Sequence, residues 1–290
     1  SRVIEQPGPG LAQLQTGDAH MDALVGKVRR VLDRDIPILV LGPDKSPGTP
    51  QAVRVVDGQT LQVLPEFGFV AYEDSYVGGT RVAVADLNGD GRDEIITAPG
   101  RNRAPEVRIF TPEGHSVPGF PGFLAYRPGY TGGVELTVAD VNGDGKPDII
   151  TVPGYGAAEV RVFFNRYDSQ DPAKSAFQAD PDVVFQAFEV AAVGGAVVAA
   201  ADMGSWDGSR FVSATDGKAE IAVGTGVGQK ATVAVFEVTG ATRTPVRTFY
   251  PFSAQSPNFL GGVSLDVAWI DKDSNPQQDP PDILVGMGVN

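Results

Sequence analysis

The residues of this chain whose types and spacing could do chemistry are acidic, and they recur. Asp86-Leu87-Asn88-Gly89-Asp90-Gly91-Arg92-Asp93-Glu94 returns as Asp140-Val141-Asn142-Gly143-Asp144-Gly145-Lys146-Pro147-Asp148, so that both read D-x-N-G-D-G-x-x-[DE]. Side-chain oxygens at positions 1, 3, 5 and 9 and a backbone carbonyl at position 7 form a hard-oxygen donor set. A cation that takes six to eight oxygens at roughly 2.3–2.6 Å, calcium above all, wants such a set. The expected ligands are Asp86, Asn88, Asp90, the Arg92 carbonyl and Glu94, and in the second copy Asp140, Asn142, Asp144, the Lys146 carbonyl and Asp148. The glycines at positions 4 and 6 permit the tight backbone. A cluster of Asp, Asn and Gly is often no more than a solvated turn. Two near-identical copies with matched flanks argue for a metal loop.

The flanks say which elements carry these loops. A helix–loop–helix calcium motif needs Glu at position 12, and here position 12 is Thr97 and Thr151. The neighbouring runs RVAVAD and EIITAP, and VELTVAD and DIITVP, are rich in Val, Ile and Thr and read as strands. Each loop is therefore expected at the tip of a β-hairpin. Gly-Gly pairs at 78–79, 132–133, 194–195 and 261–262 precede strands that end on Asp86, Asp140, Asp202 and Asp271, which lie 54, 62 and 69 residues apart. A unit of about 55 residues suits a four-stranded propeller blade, whose repeats commonly run to about 40–50.

The fold expected is all-β, a single-domain β-propeller over 1–290 with four-stranded antiparallel blades and about five blade equivalents. Blade one runs over about 27–79, blade two over 80–133, blade three over 134–195 and blade four over 196–262. Blade five covers 263–290 and is completed by about 1–26. The first strand of blade one falls near 27–32, in competition with a helical spacing of Met21, Leu24, Val25, Val28, Val31 and Leu32. The opening SRVIEQPG resembles EVRIFTPEG, so the N-terminal strand would close the ring and remove exposed sheet edges. The competing reading is a slice of a longer array.

Two further loops are diverged. After Asp202 comes an insertion and then Asp216-Gly217-Lys218-Ala219-Glu220, which matches positions 5 to 9. Asp202, Asp216, the Lys218 carbonyl and Glu220 are expected to form a site closed over the insertion. After Asp271 come Asp273, Asp279 and Asp282 with disturbed spacing, for which Asp271, Asp273 and Asp282 are the candidate ligands. The count is two complete calcium loops and up to four ions. Asp33 and Asp35 lack the rest of the loop and are assigned no metal.

Composition narrows the function. The chain has 290 residues, 42% of them hydrophobic, with 36 Gly and 23 Pro, which suits many short strands joined by turns. A net charge of −13 argues against nucleic acid or an anionic membrane as partner. With no Cys, disulfides, thiol nucleophiles and Cys-bound zinc are excluded. No apolar run reaches the roughly 18 residues of a membrane-spanning helix. The chain opens on Ser with no signal-peptide pattern, which points to a processed protein or a fragment. Its two His, His20 and His115, stand in turns away from any motif, and neither G-x-S-x-G nor H-E-x-x-H occurs. The loop pattern already accounts for the carboxylates, so the chain is not expected to be an enzyme.

The two D-x-N-G-D-G loops, the EIITAPG and DIITVPG strands after them, EVRIF and EVRVF, and the FLAYRPGYTGG run resemble FG-GAP/VCBS repeats. These are the propeller blades of integrin α-subunit heads and of many large bacterial surface proteins. The resemblance spans most of the chain from about Ile36, strongest in blades two and three. It implies calcium at loop positions 1, 3, 5, 7 and 9, and a role in adhesion or assembly outside the cytoplasm. The expectation is a calcium-binding extracellular propeller serving as an adhesion, protein-interaction or surface-assembly module, at the cell surface or in the periplasm, with calcium structural in its hairpin loops. The partner would be a protein or glycan on the cell surface or matrix, or a second copy of the chain. The alternative is a lectin-like propeller using Trp206, Tyr126, Tyr130, Tyr155 or Tyr250 as sugar platforms, with Trp269 in the core. A polysaccharide-active enzyme stands third.

Overall fold

The β-branched runs form strands wherever Gly, Pro and Asn punctuate them. The computed structural model describes residues 38–43, 52–58, 60–172, 174–188, 194–211, 216–238, 245–253, 258–268 and 281–288. Among them the only helical element is a 3-10 turn at Pro65–Phe67, and everything else regular is antiparallel sheet. The first sheet has three strands, β1 (Ile38–Leu41), β2 (Ala52–Asp57) and β3 (Phe69–Val70). Three four-stranded sheets follow. They are β4 (Thr80–Ala85), β5 (Glu94–Pro99), β6 (Glu106–Phe110) and β7 (Phe123–Leu124); β8 (Val134–Ala139), β9 (Asp148–Pro153), β10 (Glu159–Phe163) and β11 (Val183–Gln186); and β12 (Ala196–Ala201), β13 (Glu220–Thr225), β14 (Val233–Phe236) and β15 (Arg247–Phe249). The last sheet is the pair β16 (Val263–Ala268) and β17 (Asp282–Met287). Within each four-stranded sheet the strands pair in sequence order, as successive hairpins require.

The expected strands RVAVAD, EIITAP, EVRIF, VELTVAD, DIITVP and EVRVF form where their β-branched runs placed them, as β4, β5, β6, β8, β9 and β10. The strand expected at 27–32 and the closing segment 1–26 lie outside the described residues, as do Asp271, Asp273, Asp279, Trp269 and His20.

The core lies between successive sheets. Ile96, Val107, Ile109 and Phe123 of one sheet meet Ile149 and Phe163 of the next. Ile150, Val160 and Val162 meet Val198, Ile221 and Phe236, and Val233 and Val235 meet Val263 and Leu265. The second strands β5, β9 and β13 are buried at every position, so they do not alternate with solvent, and the acidic residue that opens each is buried along with the apolar ones. The first strands lie side by side, β4 against β8, β8 against β12 and β12 against β16.

At these junctions glycine is required by space. Gly195 has φ +76, and a Cβ there would stand 2.4 Å from the Gly154 backbone. Beside these junctions one hydrogen bond recurs at the open end of each hairpin: Gly100, Gly154, Gly226 and Gly288 donate their N–H groups to the carbonyls of Gly79, Gly133, Gly195 and Gly262 at 2.8–3.0 Å.

Candidate metal centres

Register places the acidic loops. Glu94, Asp148, Glu220 and Asp282 each begin a second strand, opposite Ala85, Ala139, Ala201 and Ala268, the last residues of the first strands. Loop position 9 is thereby carried on rigid sheet, while positions 1 to 7 belong to the hairpin tip. The residue at position 2 anchors each tip. Leu87, Val141 and Met203 are at most 2% exposed and pack into three different inter-sheet cores.

The first two loops share one hydrogen-bond pattern. Asp86 Oδ1 accepts from the Gly89 N–H at 2.7 Å and its Oδ2 from the Gly91 N–H at 2.8 Å. Asp140 repeats this with Gly143 at 2.7 Å and Gly145 at 2.6 Å. Asn88 and Asn142 accept from the N–H of Asp90 and Asp144 at 2.8 Å. Asp90 and Asp144 accept from the N–H of Arg92 and Lys146 at 2.8 and 2.9 Å. Position 9 closes the turn: Glu94 Oε2 accepts from the Leu87 N–H at 2.8 Å, and Asp148 Oδ2 from the Val141 N–H at 3.1 Å. Asn88 Nδ2 donates to Glu94 Oε1 at 2.6 Å.

The third loop follows the same scheme across its insertion. Asp202 Oδ2 accepts from the Gly217 N–H at 2.8 Å, Asp216 Oδ1 from the Lys218 N–H at 3.0 Å, and Glu220 Oε2 from the Met203 N–H at 2.7 Å. Asp202, Asp216, Lys218 and Glu220 are thus brought together. Ser205 Oγ donates to Asp216 Oδ2 at 3.0 Å. Of the fourth candidate set the structure describes only Asp282, half-buried at the start of β17.

Electrostatics separate position 9 from the rest. Glu94 is 4% exposed, Asp148 0% and Glu220 2%. Burial pushes the Glu94 carboxyl up to about 7, with Asp90 and Asp86 adding repulsion against the Leu87 N–H. Burial, then Asp144 and Asp140, push Asp148 up to about 7 although the Asn165 and Val141 N–H groups pull it down. Burial, then Asp216 and Asp202, push Glu220 up to about 8. A buried carboxylate facing two more carboxylates is costly without a cation.

Among the described residues, no three His, Cys, Asp or Glu side chains converge as a metal-binding group. The loop carboxylates are drawn instead onto the N–H groups of their own turns. The donor set is nonetheless calcium-like in chemistry, with carboxylates, an amide oxygen and a backbone carbonyl. A divalent cation would relieve the strain on the buried position-9 carboxyl, so these residues fit the ion. They would hold it through Asp86, Asn88, Asp90, the Arg92 carbonyl and Glu94, and through the matching residues of the other loops.

Contacts between loops were not legible in the motif. Asn165, 1% exposed, donates its N–H to Asp148 Oδ1 at 2.9 Å and its Nδ2 to the Leu87 carbonyl at 2.8 Å. The Ala219 N–H donates to the Asp140 carbonyl at 2.7 Å. A cleft of about 570 Å³ lies between the first two loops, lined by Asp86, Asn88, Asp144, Lys146 and Asn165 among others. Lys146 Nζ donates to the Tyr167 carbonyl at 2.7 Å, and Arg166 pairs with Asp182.

The aromatic candidates divide. Tyr126 is buried, its hydroxyl donating to the Glu159 carbonyl at 2.9 Å. Tyr130 donates to the Gly133 and Tyr155 carbonyls. Trp206 packs edge-on against Phe211. Tyr155 and Tyr250 are 50% and 48% exposed, with Arg101 and Lys230 over their rings. Tyr155 lines a cavity of about 660 Å³ ringed by the junction glycines, with Arg101, Asn102 and the Arg81–Glu135 ion pair on its wall. His115 is exposed in a turn.

None of the curated proteins matches this chain. Among solved structures it is similar to the rhamnogalacturonan lyase PL11 of Bacillus licheniformis, at 13% identity and a TM-score of 0.41, over 82% of this chain and 48% of that one. It is similar also to the rhamnogalacturonan lyase YesW (13%, 0.41, 84% and 49%) and to the exotype rhamnogalacturonan lyase YesX (12%, 0.42, 86% and 42%). The chain spans about half the length of these enzymes. The FG-GAP repeat family matches residues 78–108 and 132–165, the two segments that contain the complete loops and the strands on either side of them. Those two segments are FG-GAP repeats, consistent with a propeller of that type.

Proposed function

We propose that this chain is a calcium-binding β-propeller outside the cytoplasm, acting as an adhesion, protein-interaction or surface-assembly module, with calcium structural in its hairpin loops. The observation that carries the reading is the repeated buried carboxyl at loop position 9. In three successive sheets an acidic side chain at most 4% exposed is pushed toward its neutral form, first by burial and then by two aspartates of the same loop. Protons or a cation offset the cost of a buried charge there, and the donor set suits calcium. The chain would then be a binding module and not an enzyme, with its carboxylates used to hold ions and any partner specificity in the loops that vary from sheet to sheet.

The test is thermal unfolding with calcium and with excess chelator, beside metal analysis of the purified chain. Calcium at about 100 times its dissociation constant adds about 2.7 kcal/mol per loop. With two or three loops filled, chelation should lower the midpoint by roughly 10–20 °C. An unchanged midpoint and no bound metal would reduce these loops to turns.

A second reading, glycan binding, rests on Tyr155. It is the half-exposed ring on the wall of the glycine-ringed cavity, beside Arg101 and Asn102, and such a ring offers a face for stacking a sugar. Titration with a glycan library decides it, with Tyr155→Ala abolishing any binding found.

A further inference from the structure

The first two metal loops are not independent, because Asn165 touches both. Its backbone N–H donates to Asp148 Oδ1, the position-9 oxygen of the second loop, at 2.9 Å. Its side-chain Nδ2 donates at 2.8 Å to the carbonyl of Leu87, which stands at position 2 of the first loop and 78 residues away. Its Oδ1 accepts from the Tyr167 N–H at 3.0 Å, which fixes the amide's orientation. Leu87 in turn donates its N–H, on the peptide before that carbonyl, to Glu94 Oε2, at position 9 of the first loop. Glu94, Leu87, Asn165 and Asp148 are thus linked residue to residue by hydrogen bonds, with Leu87 using its N–H and its carbonyl and Asn165 its backbone N–H and its side-chain amide. Leu87, Glu94, Asn165 and Asp148 are all at most 4% exposed, so water does not compete for these bonds.

We infer that Asn165 is a positioning residue that couples the first and second calcium loops, so that filling one raises the affinity of the other. The inference rests on the calcium reading above. Ordering Asp148 holds the Asn165 N–H, and with it the amide that sets the Leu87 peptide. The Leu87 N–H, on the neighbouring peptide across the same Cα, orients Glu94. The ordering of one loop is then already in place when the second takes its ion, and the second ion binds more tightly. The coupling is reciprocal, since each loop gains the same factor from the other.

Two backbone amides report the loops separately. The Gly91 N–H donates to Asp86 and the Gly145 N–H to Asp140, so each resonance follows its own loop. The experiment is a calcium titration of the chelator-stripped full chain, read at these two amides by NMR. Asp144→Ala silences the second loop without touching Asn165. It should raise the calcium concentration at the Gly91 midpoint at least about fivefold, the low end of usual coupling. In an Asn165→Ala background the same Asp144→Ala change should leave the Gly91 midpoint where it was. Asn165→Asp, which keeps the shape and the acceptor for the Tyr167 N–H but removes the Nδ2 donor, serves if the alanine variant does not fold. A Gly91 midpoint unmoved by Asp144→Ala in the native background overturns the coupling and leaves the calcium reading intact. An effect of Asp144→Ala that persists without the Asn165 donor overturns the role of Asn165. If neither amide moves at millimolar calcium, the calcium reading falls and the coupling with it.

Discussion

The second and third loops are the same device built with different lengths of chain. Asp140 and Asp148 are eight residues apart, whereas Asp202 and Glu220 are eighteen. Even so, position 1 still accepts from the N–H of the position-6 glycine, and position 9 still accepts from the N–H of position 2. The position-2 side chain is still buried. What specifies the turn is therefore its two ends. A buried apolar anchor and a carboxyl at the head of the second strand hold the hairpin tip in place, and the insertion between them hangs outside. What the third loop gives up is the asparagine at position 3 and the second backbone donor to its position-9 carboxyl, since Asp148 is held by both Val141 and Asn165.

That difference can be broken at position 9. Replacing Asp148 by Ala leaves two buried N–H groups without an acceptor, those of Val141 and Asn165, whereas Glu220→Ala leaves one, that of Met203. Each orphaned buried donor costs about 1–3 kcal/mol. In chelator at pH 5, where burial keeps both carboxyls protonated, denaturant unfolding should show D148A destabilised by about 2–6 kcal/mol and E220A by about half as much. Equal losses would mean that the Asn165 bond contributes nothing to the second loop.

The shifted carboxyls sharpen the comparison through pH. Glu94, Asp148 and Glu220 have folded-state values near 7, 7 and 8, above those of the unfolded chain. Between the two the folded state binds more protons, so stability is greatest at low pH and falls as pH rises. The metal-free chain should accordingly lose stability from about pH 4 and level off only above about pH 8. With calcium the order reverses, because the ion replaces the protons and the gain in midpoint on adding calcium should grow through pH 7. Unfolding midpoints from pH 5 to 9, with calcium and with chelator, check both arms. A metal-free chain whose midpoint rises over this range would contradict the burial of these groups as the controlling term.

Much of this was legible in the sequence, and the reasons are local. The D-x-N-G-D-G spacing, the Thr at position 12 and the Val/Ile/Thr flanks point to a hairpin loop because turn chemistry and strand propensity act over a few residues. The third loop could be aligned because Asp216 to Glu220 repeats positions 5 to 9 in unbroken order. Asn165 carried no such signal. Its role comes from a bond to Leu87 in a different sheet, and no pattern within one repeat encodes that. The sequence offers Tyr126 as a sugar platform, yet it is buried with its hydroxyl on the Glu159 carbonyl, because an aromatic beside Gly and Pro serves a junction as readily as a surface.

The smallest expected difference is in affinity. The third loop offers Asp202, Asp216, the Lys218 carbonyl and Glu220, one side-chain oxygen donor fewer than the second, whose Asn142 has no counterpart there. Its Glu220 also ionises near 8 where Asp148 ionises near 7. At pH 7 Asp148 is already half-protonated and Glu220 about nine-tenths so, and proton competition weakens the third loop about fivefold more than the second, or about 1 kcal/mol. In a calcium titration at pH 7 the Gly217 amide, which donates to Asp202, should reach its midpoint at no less than about five times the calcium needed for Gly145. At pH 9 both carboxyls are ionised without calcium, and the gap should narrow to what the missing oxygen alone contributes. A Gly217 midpoint equal to that of Gly145 at pH 7 would show that the insertion supplies a ligand of its own, with Ser205, already bonded to Asp216, the first residue to replace by Ala.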